Sequence, residues 1–199
     1  MSTLATDALA RVAVVGTSGS GKSTFARRLA QIRGTTHIEL DALHWGPNWT
    51  PAPDQQFRSA VDEATRQPKW ICDGNYQPVR DLVWGRATAV IWLNYSLPVV
   101  FGRVLRRSIA RCMDGQPLFG GNRETFQLTF FNRQSILLWV LRTYGQYRRE
   151  YRRLLAGSKF AHLQQVEFAT PKQAEKWLRE GPARIATPTM RTPNIAQIP

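Results

Sequence analysis

Apolar positions along this chain gather in five short runs: "RVAVVG" at 11–16, "HIELDAL" at 37–43, "WICDGN" at 70–75, "AVIWLNY" at 89–95 and "HLQQVEFA" at 162–169. Each has the length and β-branched or aromatic content of a buried strand, and helix-like segments lie between them. This alternation predicts an α/β fold, a parallel sheet covered by helices on both faces. After the first run, Phe25, Leu29 and Ile32 recur at helical spacing, with Arg27, Arg28 and Arg33 on other faces. Pro98 is suited to open a helix carrying Val99 to Ile109, with Arg103, Arg106, Arg107 and Arg111 along it.

The pattern then breaks. "CMDGQPLFGGNRETFQLTFFN", residues 112–132, holds Gly115, Pro117, Gly120 and Gly121, and reads as a lid-like excursion between two helices. A long helix is expected from about Gln134 to Ala156, with Leu137, Leu141, Tyr144, Tyr151 and Leu155 on one side, and a last helix from about Pro171 to Glu180. Beyond Gly181 four prolines and no apolar period predict an unstructured tail over 181–199, which leaves 1–180 as a single domain.

Charge sharpens this picture. The 199 residues carry a formal net charge of +13, and between residues 101 and 160 there are 12 basic residues against three acidic ones. Such a block suits a small multiply charged anion, a nucleic acid or an anionic surface. The two cysteines form no CxxC pair, which speaks against a disulfide framework or structural zinc. The N-terminus lacks the form of a secretory signal, and the longest apolar run, "ILLWVL", is far shorter than the roughly 20 residues of a membrane span. A cytoplasmic protein with no membrane partner is expected.

The chemistry centres on "GTSGSGKS", Gly16 to Ser23, which fits G-x-x-x-x-G-K-[ST] at every fixed position and lies between a predicted strand and a predicted helix. Gly16, Gly19 and Gly21 let the backbone of Thr17, Ser18 and Ser20 wrap so that its N–H groups face phosphate oxygens. The helix that begins about Lys22, Ser23 and Thr24 adds the positive end of its dipole. Lys22 supplies charge for the β- and γ-phosphates, and the Ser23 hydroxyl is placed for Mg²⁺. These residues predict ATP and Mg²⁺ as cofactors.

Two carboxylates end predicted strands, where open α/β sheets bind ligands. Asp73 is placed to reach Mg²⁺ through water. Asp41, two residues after Glu39 and so expected on the same strand face, is placed to orient or deprotonate an acceptor. Arg107, Arg123 and Arg133 flank or lie in the lid-like excursion, and the planar guanidinium matches phosphate. The stretch "ALHWGPNWTPAPDQQF" offers Trp45 and Trp49 for stacking on an acceptor and His44 as a hydrogen-bond donor. His37 and His162, at strand starts, show no evident chemistry.

With "GTSGSGKST", "ELDALHW", "DGNY", "VLRRS" and "GNRETF" in view, the chain resembles the P-loop small-molecule kinases, the group of adenylate, shikimate and gluconate kinases. It is most similar to an adenylate kinase-like branch called "DNA topology modulation" proteins. The resemblance implies a five-stranded parallel sheet in order 2-3-1-4-5, an acceptor region after strand two and a lid after strand four. Asp41 resembles that group's acceptor-facing acid, Asp73-Gly74 its "DG", and Arg107 its first lid arginine. Where adenylate kinases have "DGFPR", this chain has "DGNYQPVR", so that Arg80 is the arginine that could stand in at the acceptor. The leading expectation is transfer of the γ-phosphoryl group of MgATP to a small-molecule acceptor, nucleotide-like or otherwise. The alternative is a nucleic-acid-binding ATPase or regulator built on the basic block. The acceptor, the choice of ATP over GTP and the oligomeric state stay open.

Overall fold

The computed structural model describes residues 8–114, 119–122 and 135–180. Five parallel strands, β1 (Arg11–Gly16), β2 (Thr36–Glu39), β3 (Trp70–Asp73), β4 (Ala89–Leu93) and β5 (Gln164–Phe168), form one sheet in the order β2-β3-β1-β4-β5. The helices are α1 (Lys22–Arg33), α2 (Leu40–His44), α3 (Asp54–Ala64), α4 (Arg80–Arg86), α5 (Leu97–Asp114), α6 (Ile136–Ala156) and α7 (Pro171–Glu180). Fold class and strand order are those the sequence implies.

Both faces of the sheet are buried, which is why its central strands read as continuous apolar runs. Alternation sends Val12 and Val14 of β1, with Ile71 and Ile91, into a core under α1 and α5, where they meet Phe25, Leu29, Val100 and Val104. Ala13, Val15, Cys72 and Trp92 face the opposite core, beneath Phe57 and Val61 of α3 and Val83 and Trp84 of α4. Each fully buried Val, Leu or Ile contributes roughly 1.5–3 kcal/mol. Helix α6 spans both layers, with Val140 in the first core and Tyr151 in the second. Among the described residues no helix is long and apolar enough to cross a membrane.

Register fixes the chemistry at the carboxyl edge of the sheet. Asp73 pairs with Val14 on one side and with Glu39 on the other. It is 3% exposed and shares the face of Ile71, over which α1 lies.

Several local expectations are corrected. The second strand stops at Glu39, and Asp41 belongs to the first turn of α2, so Asp41 and Glu39 do not share a strand face. The reason is a switch of period: Leu40 and Leu43, three apart, both pack into the second core, which a helical turn allows and a strand does not. Ile32 and Leu141 are about half exposed. Helix α5 continues to Asp114, past the start of the expected excursion. Of that excursion only residues 119–122 are described between α5 and α6, and Arg123, Arg133 and the 181–199 tail lie outside the described residues.

Candidate phosphate and acceptor site

The loop from Gly16 to Gly21 joins β1 to α1 at the sheet's carboxyl edge. Its wrap depends on Gly19, whose φ is +84°: a Cβ there would fall 2.3 Å from Val104 Cγ2 and 2.7 Å from the Val100 carbonyl oxygen. The loop is seated directly on α5. Arg103 of α5 donates to the Ser20 carbonyl at 3.1 Å, and Asn75 Nδ2 donates to the Gly16 carbonyl at 2.5 Å. Lys22 Nζ lies 3.3 Å from the Thr17 carbonyl oxygen. Burial lowers the Lys22 pKa, Asp41 and Asp73 oppose the shift, and Arg107 adds to it.

At the start of α1, Ser23 Oγ donates to Asp73 Oδ2 at 2.7 Å. The other oxygen, Oδ1, is in hydrogen-bond contact with His37 Nε2 at 2.7 Å. His37 thus orients Asp73, a role unread in the sequence. The available signal was its spacing two before Glu39, which puts both on one face of β2. Glu39 beside them has its carboxyl held above the usual range by burial and by the charge of Asp73.

A cavity of about 1720 Å³ opens from this edge. Ser18, Gly19, Ser20, Gly21, Lys22, Ser23 and Thr24 line one end, and Asp41, Trp45, Trp49, Tyr76 and Arg80 line another part of it. Gly16 and Thr17, the first two residues of the loop, are not part of the cavity lining, and Thr17 is only 5% exposed. Asp41 Oδ1 accepts from the Tyr76 hydroxyl at 2.7 Å, and burial first, then the charge of Asp41, raises the Tyr76 pKa. Arg80 pairs with Glu150 of α6 at 2.7 Å and lies over Trp84.

His44 is not where the sequence reading puts it. Its ring packs among Trp45, Phe57 and Tyr76 at 4.4–4.9 Å and does not line the cavity, and burial lowers its pKa. Arg103, Arg107, Arg111 and Arg142 of the basic block line the same cavity as the phosphate loop, so part of that charge faces a ligand-sized space.

The residues fit a magnesium-bound polyphosphate on two grounds. The Ser20 hydroxyl and Asn75 Oδ1 are buried without a hydrogen-bond partner. Mg²⁺ in such sites relies on one or two protein groups together with phosphates and water, which Ser23 and Asp73 match.

Comparison with known proteins supports the architecture. No protein-family model matches the chain, and no curated protein does. Among solved structures it is similar to a shikimate kinase from Acinetobacter baumannii in complex with shikimate (TM-score 0.54, 16% identity, 86% of this chain and 90% of that one). It is also similar to a gluconokinase from Sinorhizobium meliloti 1021 (0.50, 20%, 86% and 89%) and a shikimate kinase from Bacteroides thetaiotaomicron (0.52, 12%, 85% and 94%). At these identities the likeness shows the fold alone, a five-stranded parallel sheet covered by helices on both faces.

Proposed function

We propose that this protein transfers the γ-phosphoryl group of MgATP to a hydroxyl of a small-molecule acceptor in the cytoplasm, where MgATP is supplied. One observation carries the reading: a single cavity joins a phosphate loop with Lys22 and Ser23 to a wall bearing Asp41, Trp45, Trp49 and Tyr76. Phosphoryl transfer asks mainly for positioning and charge compensation, and both ends of the reaction are provided for.

The backbone from Gly16 to Gly21 and the start of α1 at Lys22, Ser23 and Thr24 hold the triphosphate. Ser23 and Asp73 would hold Mg²⁺, Asp73 through water, and the bound ion would offset charge on the phosphates. Asp41, held by the Tyr76 hydroxyl, takes the acceptor's proton as its oxygen bonds to phosphorus and the bond to the bridging β–γ oxygen breaks. Lys22 and Arg107 compensate the developing charge, a role we assign also to Arg123 and Arg133 from their sequence position alone.

The acceptor is assigned by its wall. Trp45 and Trp49 favour a planar or ring-bearing compound, nucleotide-like in that respect, as the adenylate kinase-like stretches "ELDALHW" and "GNRETF" suggest. Arg80 is engaged by Glu150, so a phosphate or carboxylate on the acceptor would have to compete for it.

The test is ³¹P NMR of MgATP turnover with a panel of adenosine, AMP, shikimate and gluconate, run beside Lys22→Ala. A new phosphoester that the variant does not form is expected. ATP binding with no transfer to any member of the panel would overturn the kinase reading.

A further inference from the structure

The acceptor wall is strained at its tip. His44 to Ala52 form a small hairpin closed by an antiparallel bridge between Trp45 and Pro51, with Gly46 N–H donating to the Thr50 carbonyl at 2.8 Å and Ala52 N–H to the His44 carbonyl at 2.8 Å. Thr50 N–H donates to the Pro47 carbonyl at 3.1 Å, and the two residues between them, Asn48 and Trp49, have φ of 55° and 54°. Positive φ at both central positions is the type I′ turn, which prefers Asn-Gly. Asn48 suits it. Trp49 does not, because a bulky side chain with no local polar group to hydrogen-bond is disfavoured in the left-handed region. These two are the sole non-glycine residues with positive φ among those described.

What holds the turn comes from far away in sequence. Asn122, 6% exposed, spans it with one carboxamide: Oδ1 accepts from Trp49 N–H at 2.9 Å and Nδ2 donates to the Gly46 carbonyl at 2.8 Å. Gly120, with φ of +64°, lets this short segment lie against the hairpin, since a Cβ there would fall 2.5 Å from the Gly46 carbonyl carbon and 2.8 Å from Pro47 N. The turn's product is a fixed pair of rings. Trp45 and Trp49 stand edge to face at 5.8 Å, and both line the cavity.

We propose that Asn122 is a specificity-determining positioning residue, which clamps a strained turn so that Trp49 and Trp45 form the acceptor-binding wall. The proposal rests on the kinase reading for what the wall binds. A turn needed only to connect α2 and α3 would relax with glycine at position 49. Strain kept by a buried clamp and directed into a cavity instead marks a side chain whose position is used.

The experiment compares Asn122→Ala and Trp49→Gly with the wild type, using whichever of adenosine, AMP, shikimate or gluconate the wild type phosphorylates. Asn122→Ala is expected to raise the acceptor KM about tenfold, as a misplaced positioning group does, with the ATP KM within about twofold. Trp49→Gly removes wall and strain together. It is expected to raise the acceptor KM at least as much while lowering the thermal midpoint by no more than about 2 °C. In protein labelled with 5-fluorotryptophan, the ¹⁹F signal of Trp49, assigned with Trp49→Phe, should shift or broaden in Asn122→Ala. A fall in midpoint with both KM values and the ¹⁹F signal unmoved would reduce Asn122 to a structural brace and overturn the proposal. A wild type that transfers to no acceptor would instead remove the kinase reading, and with it the wall's ligand, whatever the ¹⁹F signal does.

Discussion

The phosphate end and the acceptor end of the cavity are made by opposite means. Eight consecutive residues, Gly16 to Ser23, make the first, and its geometry depends on backbone pressed against α5. The second is assembled from side chains as far apart as Asp41, Tyr76 and Glu150, brought together by sheet register and by α6. A backbone site should therefore fail when a Cβ intrudes, whereas a side-chain site should fail when a single polar atom is lost. The two failures can be produced separately.

The largest effect is expected from Gly19→Ala. Its Cβ would overlap Val104 and a backbone carbonyl at a φ of +84°, a strain of roughly 1–3 kcal/mol before any steric shift. MgATP affinity measured by calorimetry should fall at least about 100-fold, the factor that about 2.7 kcal/mol represents. Retained affinity would show that the loop is not held by α5. A smaller, confined effect is expected of Tyr76→Phe, which removes the hydrogen bond to Asp41 and little volume. One hydrogen bond to a charged group is worth about 1.5–3 kcal/mol, so turnover should drop by about tenfold or more with ATP affinity unchanged. Equal losses of turnover and ATP affinity would erase the separation of the two ends.

The smallest lies outside the cavity. Arg58 of α3 holds the Asp81 carboxyl of α4 down to about 2. The folded value lies below the unfolded one, so the stabilisation is present above about pH 4 and is lost as pH falls toward 2. Both side chains are nearly half exposed, so solvent screening limits it to at most about 1 kcal/mol. Asp81→Asn should lower the thermal midpoint slightly at pH 6, with most of that difference gone near pH 2. A difference undiminished at pH 2 would locate the effect elsewhere.

The same contrast explains what could be read from sequence. The phosphate loop was legible because all its parts are adjacent and its glycines have a stereochemical reason. Strand order followed from a resemblance, and the strands themselves from apolar runs buried on both faces. The end of β2 is hidden in the sequence because apolar residues continue from "HIE" into "LDALH", and only the Leu40–Leu43 spacing marks the change to a helix. Leu137, Leu141, Tyr144, Tyr151 and Leu155 read as one straight stripe, yet α6 serves one core at Val140 and the other at Tyr151, which leaves Leu141 half exposed. His37 meets Asp73 only through the β2–β3 register, and Asn122 meets Gly46 and Trp49 through a contact 70 residues and more away in sequence. Beyond the two-residue spacing of His37 and Glu39 on one face of β2, neither contact leaves a local pattern.

The most direct measurement is on Asp41→Asn, with MgATP affinity by calorimetry and acceptor-dependent turnover by ³¹P NMR on the same preparation. The expected result is ATP affinity within about twofold and turnover lower by at least about 100-fold, the range ascribed to a positioned general base. Turnover that survives the substitution would contradict Asp41 as the group that takes the acceptor's proton, and with it the assignment of this wall as the acceptor site.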